Sequence, residues 1–249
     1  MTEPPRAALP EVGPPEAGPP GTGTPGTGPR TAGPPGTGPH TPGPPFRQLL
    51  ERARDLAARP GRAILGITGP PAAGKTTLAA RLRDELGEAA AYVPLDGFHL
   101  AHELLAERGM VERKGAPDTF DAAGYVALLR RLRDPGEGVV YAPRFDRAIE
   151  DSIANAIGVP PDVPLVITEG NYLLLRSGPW VQVAGLLDEV WYIELAEETR
   201  LRRLVGRHME FGRDEAEARE RATGSDRRNA VLIEASRDYA SLVVSVGRS

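Results

Sequence analysis

The chain has 249 residues, a formal net charge of −4 and no cysteine. The length allows one large domain or two small ones, the acidic balance argues against a basic nucleic-acid footprint, and the lack of cysteine excludes disulfides and cysteine-ligated metals or clusters. No apolar run approaches the roughly 18 residues a bilayer span needs, and the N-terminus lacks the basic-then-apolar order of a secretory signal, so a cytoplasmic protein that spans no membrane is expected.

Residues 1–45 are low in complexity. Gly-Pro-Pro-Gly-Thr-Gly occurs at 18–23 and again at 33–38, and large apolar residues are nearly missing. Such a segment cannot bury enough surface to offset its ordering entropy. The glycines do not keep a strict third-residue period, which argues against a collagen helix. A disordered Pro/Gly-rich tail is expected, with solvation favoured over a role as a proline-rich recognition peptide. The folded domain is expected over 46–249, beginning with a helix on which Phe46, Leu49, Leu50, Ala53 and Leu56 recur at helical spacing.

The stretch from Ala63 to Thr77 organises the rest of the domain. An apolar run, Ala-Ile-Leu-Gly-Ile-Thr, meets Gly69-Pro70-Pro71-Ala72-Ala73-Gly74-Lys75-Thr76-Thr77, and a helix-period pattern starts at once. This is G-x-x-x-x-G-K-[ST] between a strand and a helix, the context that gives the motif its meaning. Gly69 and Gly74 allow a sharp turn that brings backbone N–H groups to phosphate oxygens, and the helix N-terminus adds donors and partial positive charge. Lys75 supplies a point charge for the β- and γ-phosphates, and Thr76 a hydroxyl for Mg²⁺. A bound nucleoside triphosphate is the expectation.

Further along, Ala91–Leu95 reads as a short strand delivering Asp96-Gly97-Phe98-His99. A helical segment at 100–108 leads to a polar loop, and Asp121 reads as the N-cap of a helix ending at Arg133. Val139–Pro143 is extended. Pro164–Gly170 is a buried strand ending in Glu169, 180–187 looks helical, and 189–194 is a strand. One long helix is expected over 197–221, another over 226–238, and a last strand over 241–246. Strands alternating with helices predict a parallel sheet covered on both faces, with ligands beyond the carboxyl ends of its strands. Asp96, Glu169 and the P-loop all fall there. Glu169 suits Mg²⁺ ligation alongside Thr76. By position, Asp96 is either a base for an alcohol acceptor, an N-cap or a second metal ligand, and Gly97 keeps the backbone slim where a substrate enters.

Taken together, Gly69–Thr77, Leu95-Asp-Gly-Phe-His99, Arg113-Lys-Gly-Ala-Pro-Asp-Thr-Phe-Asp121, Tyr141-Ala-Pro-Arg-Phe-Asp-Arg147 and Ile167-Thr-Glu-Gly-Asn-Tyr172 resemble the phosphoribulokinase/uridine kinase family, with similarity to type I pantothenate kinases. The blocks run in family order from about residue 60 to the end. The resemblance implies an α/β, kinase-type P-loop NTPase with a five-stranded parallel sheet, helices on both faces and an arginine-bearing lid. It implies ATP and Mg²⁺ as cofactors, a small-molecule hydroxyl acceptor (nucleoside, sugar or pantothenate-like), and Asp96 as the catalytic base. It also implies Arg203 and Arg207 as lid residues on the phosphates, and acceptor contacts from Phe98, His99, Lys114, Tyr141, Arg144 and Asn171. No nucleic-acid or membrane partner is expected, and a homodimer is left open.

A P-loop switch of the GTPase class would carry Asn-Lys-x-Asp, and neither lysine follows an asparagine. The Leu-Ser-Gly-Gly-Gln signature of transport ATPases is also missing, which leaves a regulatory P-loop NTPase with no acceptor as the rival. His99 and His102 have no third histidine or cysteine nearby to make a metal site. Of the 30 basic residues only Lys75 and Lys114 are lysines. An ammonium is a flexible point charge where a guanidinium is a planar fork, so Lys114 is expected to reach the acceptor or the transferring phosphoryl group.

Overall fold

The computed structural model describes residues 43–210 and 212–245. The tail expected over 1–45 lies outside the described residues except for Gly43, Pro44 and Pro45. Helix α1 (Phe46–Ala57) comes directly after and buries Leu49, Leu50, Ala53 and Leu56. The remaining elements are β1 (Ala63–Thr68), α2 (Lys75–Leu86), β2 (Ala90–Tyr92), α3 (His102–Glu107), α4 (Ala122–Arg133), β3 (Val140–Asp146), β4 (Asp151–Val159), β5 (Leu165–Glu169), β6 (Glu189–Glu194), α5 (Glu197–Glu210), α6 (Glu215–Thr223), α7 (Ser225–Glu234) and β7 (Leu242–Ser245).

Five strands form one parallel sheet in the order β2-β5-β1-β6-β7. Strand β1 is central and buried at every position, which is why it reads as an unbroken apolar run. Alternate residues feed two cores, one on each face. Leu65, Ile67, Ile167 and Trp191 pack with Leu49, Leu56, Ala79 and Leu82 of α1 and α2. Ile64, Val166, Val190 and Tyr192 pack with Tyr125 and Leu129 of α4 and Ile233 of α7. The kinase-type α/β sheet covered on both faces is the architecture expected.

Asp121 caps α4 as the sequence suggests, its carboxylate accepting the Gly124 N–H at 2.8 Å. Several boundaries differ. The strand expected at 91–95 ends at Tyr92, because Pro94 has no N–H to continue a ladder. Leu95–Phe98 coil instead into a 3₁₀ turn. The 180–187 helix is two 3₁₀ turns, Gly178–Gln182 and Ala184–Leu186. The long helix over 197–221 is broken. Gly212 takes φ +87°, and Asp214 starts α6 by accepting the Glu217 N–H at 2.9 Å. The helix expected over 226–238 ends at Glu234, with a 3₁₀ turn at Arg237–Tyr239.

The largest difference is the extended segment near 139–143. It is one arm of an antiparallel hairpin, β3 with β4, separate from the main sheet. Its register shifts between Ala142 and Arg144, at Pro143, where a ladder donor is missing. Strand β4 has no counterpart among the expected elements. Its middle residues are exposed, so no core-facing alternation marks them.

Candidate functional site

The P-loop leaves the carboxyl end of β1 as expected. Gly69 has φ +145° and Gly74 φ +102°, and a Cβ at Gly69 would lie 2.6 Å from the Ile193 carbonyl oxygen. Ala72 also takes a positive φ, +66°. A loop that changes backbone hand in this way folds into an anion-holding concavity. Lys75 opens α2, and its buried ammonium donates to the Gly69 carbonyl at 2.9 Å and the Pro70 carbonyl at 3.0 Å. Pro71 and Ala73 are buried beneath the loop, and Thr77 is exposed on the first turn. Burial lowers the Lys75 pKa to about 8, against the opposing pull of Glu169 and Asp96.

Glu169 ends β5 and is buried. Its Oε1 accepts from the Thr76 hydroxyl at 3.0 Å and from the Tyr92 hydroxyl at 2.9 Å. Burial, then the charge of Asp96, raise the Glu169 carboxyl above the ordinary carboxylate range. A hydroxyl and a carboxylate meeting beside a phosphate-binding loop are the hard oxygen donors Mg²⁺ takes. The fit extends to charge, since a cation here would relieve the repulsion that Asp96 exerts on Glu169.

Asp96 sits on the 3₁₀ turn after β2, its side chain 40% exposed and its Oδ2 3.8 Å from Arg147 Nη2. On α5, Arg207 has Arg147, Asp96 and Glu169 among its electrostatic neighbours, and burial followed by the Arg147 charge lowers its pKa. Arg203, one turn earlier, is half-buried. Thr76, Tyr92, Asp96 and Glu169 line one side of a cavity of about 830 Å³. Arg144, Phe145 and Arg147 of the hairpin line the other.

The remaining expected acceptor residues are not brought to that cavity. Phe98 packs edge-on against Tyr125, with ring centroids 5.2 Å apart. His99 stacks on Phe120 at 3.9 Å, its Nδ1 buried without a hydrogen-bond partner. Burial is the main cause holding His99 below its ordinary pKa. Tyr141 is 53% exposed on the outer face of β3. The Asn171 backbone carbonyl accepts the Thr68 hydroxyl at 3.2 Å. Lys114 is seated on the hairpin turn. Its ammonium donates to the Glu150 carbonyl, lies 3.7 Å from the Glu150 carboxylate and 5.0 Å from the Phe145 ring centroid. Among the lining residues absent from the expected site are Tyr92, Phe145 and Arg147. The last two lie inside the Tyr141–Arg147 block, and Tyr92 carries no signal beyond its place at a strand end.

Gly97 has a different reason from the one expected. A Cβ there would lie 2.3 Å from the Pro143 carbonyl oxygen, so the constraint is the approach of β3, not of a substrate. Gly97→Ala must push the hairpin away from backbone that cannot yield. A loss of about 1–3 kcal/mol is expected in denaturant melts; an unchanged midpoint would mean the hairpin is free to shift.

Among known proteins, a Schizosaccharomyces pombe protein with a provisional uridine kinase name is 34% identical over 198 residues, covering 75% of this chain and 84% of its own. The chain belongs to the phosphoribulokinase/uridine kinase family. An ATP-dependent kinase-like protein of Aspergillus versicolor is 37% identical over 145 residues, 55% of this chain and 84% of its own. A Silicibacter crystal structure, described provisionally as a fructose transport system kinase, superposes with a TM-score of 0.74 at 36% identity, over 81% of this chain and 99% of that one. No family model matches the chain. This member of the family is a P-loop kinase in fold and motif, and among its described residues no helix is long and apolar enough to cross a membrane.

Proposed function

We propose that the protein transfers the γ-phosphate of ATP to a hydroxyl of a small metabolite. The observation that carries this reading is the convergence of Thr76, Glu169 and Asp96 on one cavity with a second, hairpin-borne wall, and the buried Lys75 ammonium within the electrostatic reach of both carboxylates. A switch NTPase needs no such acceptor chamber. Its volume lies within the range of ordinary small-molecule sites.

In this reading the P-loop backbone and Lys75 hold the β- and γ-phosphates. Thr76 and Glu169 would hold Mg²⁺, which when bound neutralises charge on the phosphate oxygens. Asp96 orients the acceptor hydroxyl and takes its proton as the acceptor oxygen bonds to the γ-phosphorus. The bond from that phosphorus to the β,γ-bridging oxygen breaks, and ADP leaves. Arg207, with Arg203 behind it, is suited to the charge spread over the transferring group. Phe98 and His99 support the turn that carries Asp96. The test is ADP release by the purified protein across a panel of sugars, nucleosides and hydroxy acids, with melting shifts under ATP and GTP. Acceptor-dependent ADP release supports the reading; a shift with GTP alone and no acceptor dependence contradicts it.

Lys114 has a positioning role in this reading. It ties the 111–115 loop to the hairpin turn and so fixes where Arg144, Phe145 and Arg147 stand. Lys114→Ala is expected to raise the acceptor KM about tenfold, by misplacing that wall, while the ATP KM holds. Lys114→Arg should rescue only in part, because a planar fork does not replace a point charge on one carbonyl. Wild-type acceptor kinetics in the alanine variant would end this role.

A further inference from the structure

The two ends of the cavity differ in chemistry. At the end away from the P-loop, Glu88 and Asp162 precede the first residues of β2 and β5, and Arg83 there is held by Asp84 at 2.7 Å. At the P-loop end, the neutral hydrogen-bonding side chains are Thr76 and Tyr92, and both hydroxyls are turned to Glu169. No asparagine or glutamine is among the described lining residues. The Phe145 ring is already flanked, by Lys114 at 5.0 Å and by His99 at 5.1 Å. A nucleobase edge presents mixed amide-like donors and acceptors and needs amide or hydroxyl readers with a free ring to stack on. This wall offers little of either.

What it offers is guanidinium. Arg147 stands 3.8 Å from Asp96, and its side chain remains 53% exposed. Arg144 is exposed to the same space and has no carboxylate partner among the described residues. Elsewhere on the surface, Arg113, Arg131 and Arg219 each hold a carboxylate at 2.8, 2.9 and 2.7 Å. Arg144 and Arg147 stand on one hairpin arm beside Asp96, and a planar fork matches a carboxylate or a phosphate in bidentate geometry.

We infer that the acceptor is anionic: a hydroxyl compound whose carboxylate or phosphate group is held by Arg144 and Arg147 while its hydroxyl meets Asp96. This rests on the kinase reading above and narrows it. It sets the acceptor apart from a neutral nucleoside or free sugar.

The test saturates the P-loop with Mg·AMPPNP and follows the melting temperature of the full chain as inorganic phosphate, malonate or glycerol is titrated in. Wild type should be stabilised by phosphate or malonate and not by glycerol; the stronger anion tells a phosphate ester from a carboxylate. The Arg144→Gln/Arg147→Gln protein should need at least tenfold more anion, with its Mg·AMPPNP shift intact. Arg144→Gln alone, at an exposed position, serves if the double variant fails to fold. In turnover, glycerate should be favoured over glycerol, or ribose 5-phosphate over ribose and uridine, at least tenfold in kcat/KM. No anion effect in wild type, an equal effect in the variants, or a preference for uridine or a neutral polyol overturns the inference while leaving the kinase reading standing. A wild-type protein that does not respond to Mg·AMPPNP overturns both.

Discussion

Lys75→Met should lower kcat by about 10³-fold or more, because the transferring phosphoryl loses the charge poised for it in a water-poor site. Methionine keeps much of the stem volume and removes the ammonium, so melting should report a folded chain. The same residue sets a pH dependence. Its pKa in the folded protein, about 8, lies below the ordinary 10.5. The unfolded chain therefore binds more protons between those values, and the nucleotide-free protein should gain stability as pH rises through that window. The cost of burying the ammonium is present in full below about 8. Nucleotide binding runs the other way. Above pH 8 the free site has lost the proton that a triphosphate needs there, so binding must take one up and affinity must fall with pH. Calorimetry in buffers of different ionisation enthalpy at about pH 9, between the folded and ordinary values, would read that uptake in wild type, and Lys75→Met should lack it. A nucleotide affinity indifferent to pH across that window would count against this placement of the charge.

Asp96→Asn is expected to reduce kcat about 10²–10⁴-fold, the usual size of a general-base contribution. The side chain keeps its shape, and Arg147 at 3.8 Å can still approach its oxygen. Mg·ATP affinity should therefore stay within a few-fold of wild type. A parallel loss of nucleotide affinity would instead make Asp96 a metal-site residue. In this proposal the two carboxylates separate: Glu169, buried and bonded to Thr76 and Tyr92, is assigned to the nucleotide side, and Asp96, partly exposed in the cavity, to the acceptor side.

The P-loop, the buried strands β1 and β5 and the cap at Asp121 were legible because local chemistry decides them. Glycines at positive φ, apolar runs buried on both faces and a carboxylate over a helix start all leave marks in neighbouring residues. The hairpin was half-hidden. Val140 and Ala142 are buried and gave a signal, whereas residues 153–156 in the middle of β4 are exposed and keep no burial period. The roles of Gly97 and Lys114 depended on that missing strand pair. Their partners, Pro143 and Glu150, are distant in sequence, and nothing local to either residue announces them. The break at Gly212 was hidden in a stretch rich in helix-forming Arg and Glu, where propensity alone favours continuity.

The most direct measurement tracks the phosphorus. Full-length protein is incubated with Mg²⁺, γ-labelled ATP and a mixed pool of anionic and neutral hydroxyl compounds, and the label is traced by chromatography and ³¹P NMR. The label should appear in a stable phosphomonoester of one acceptor, matched mole for mole by ADP, and this product should form at least about 10²-fold more slowly with Asp96→Asn. Label recovered solely as inorganic phosphate, at a rate indifferent to the pool and to Asp96, would contradict the kinase reading.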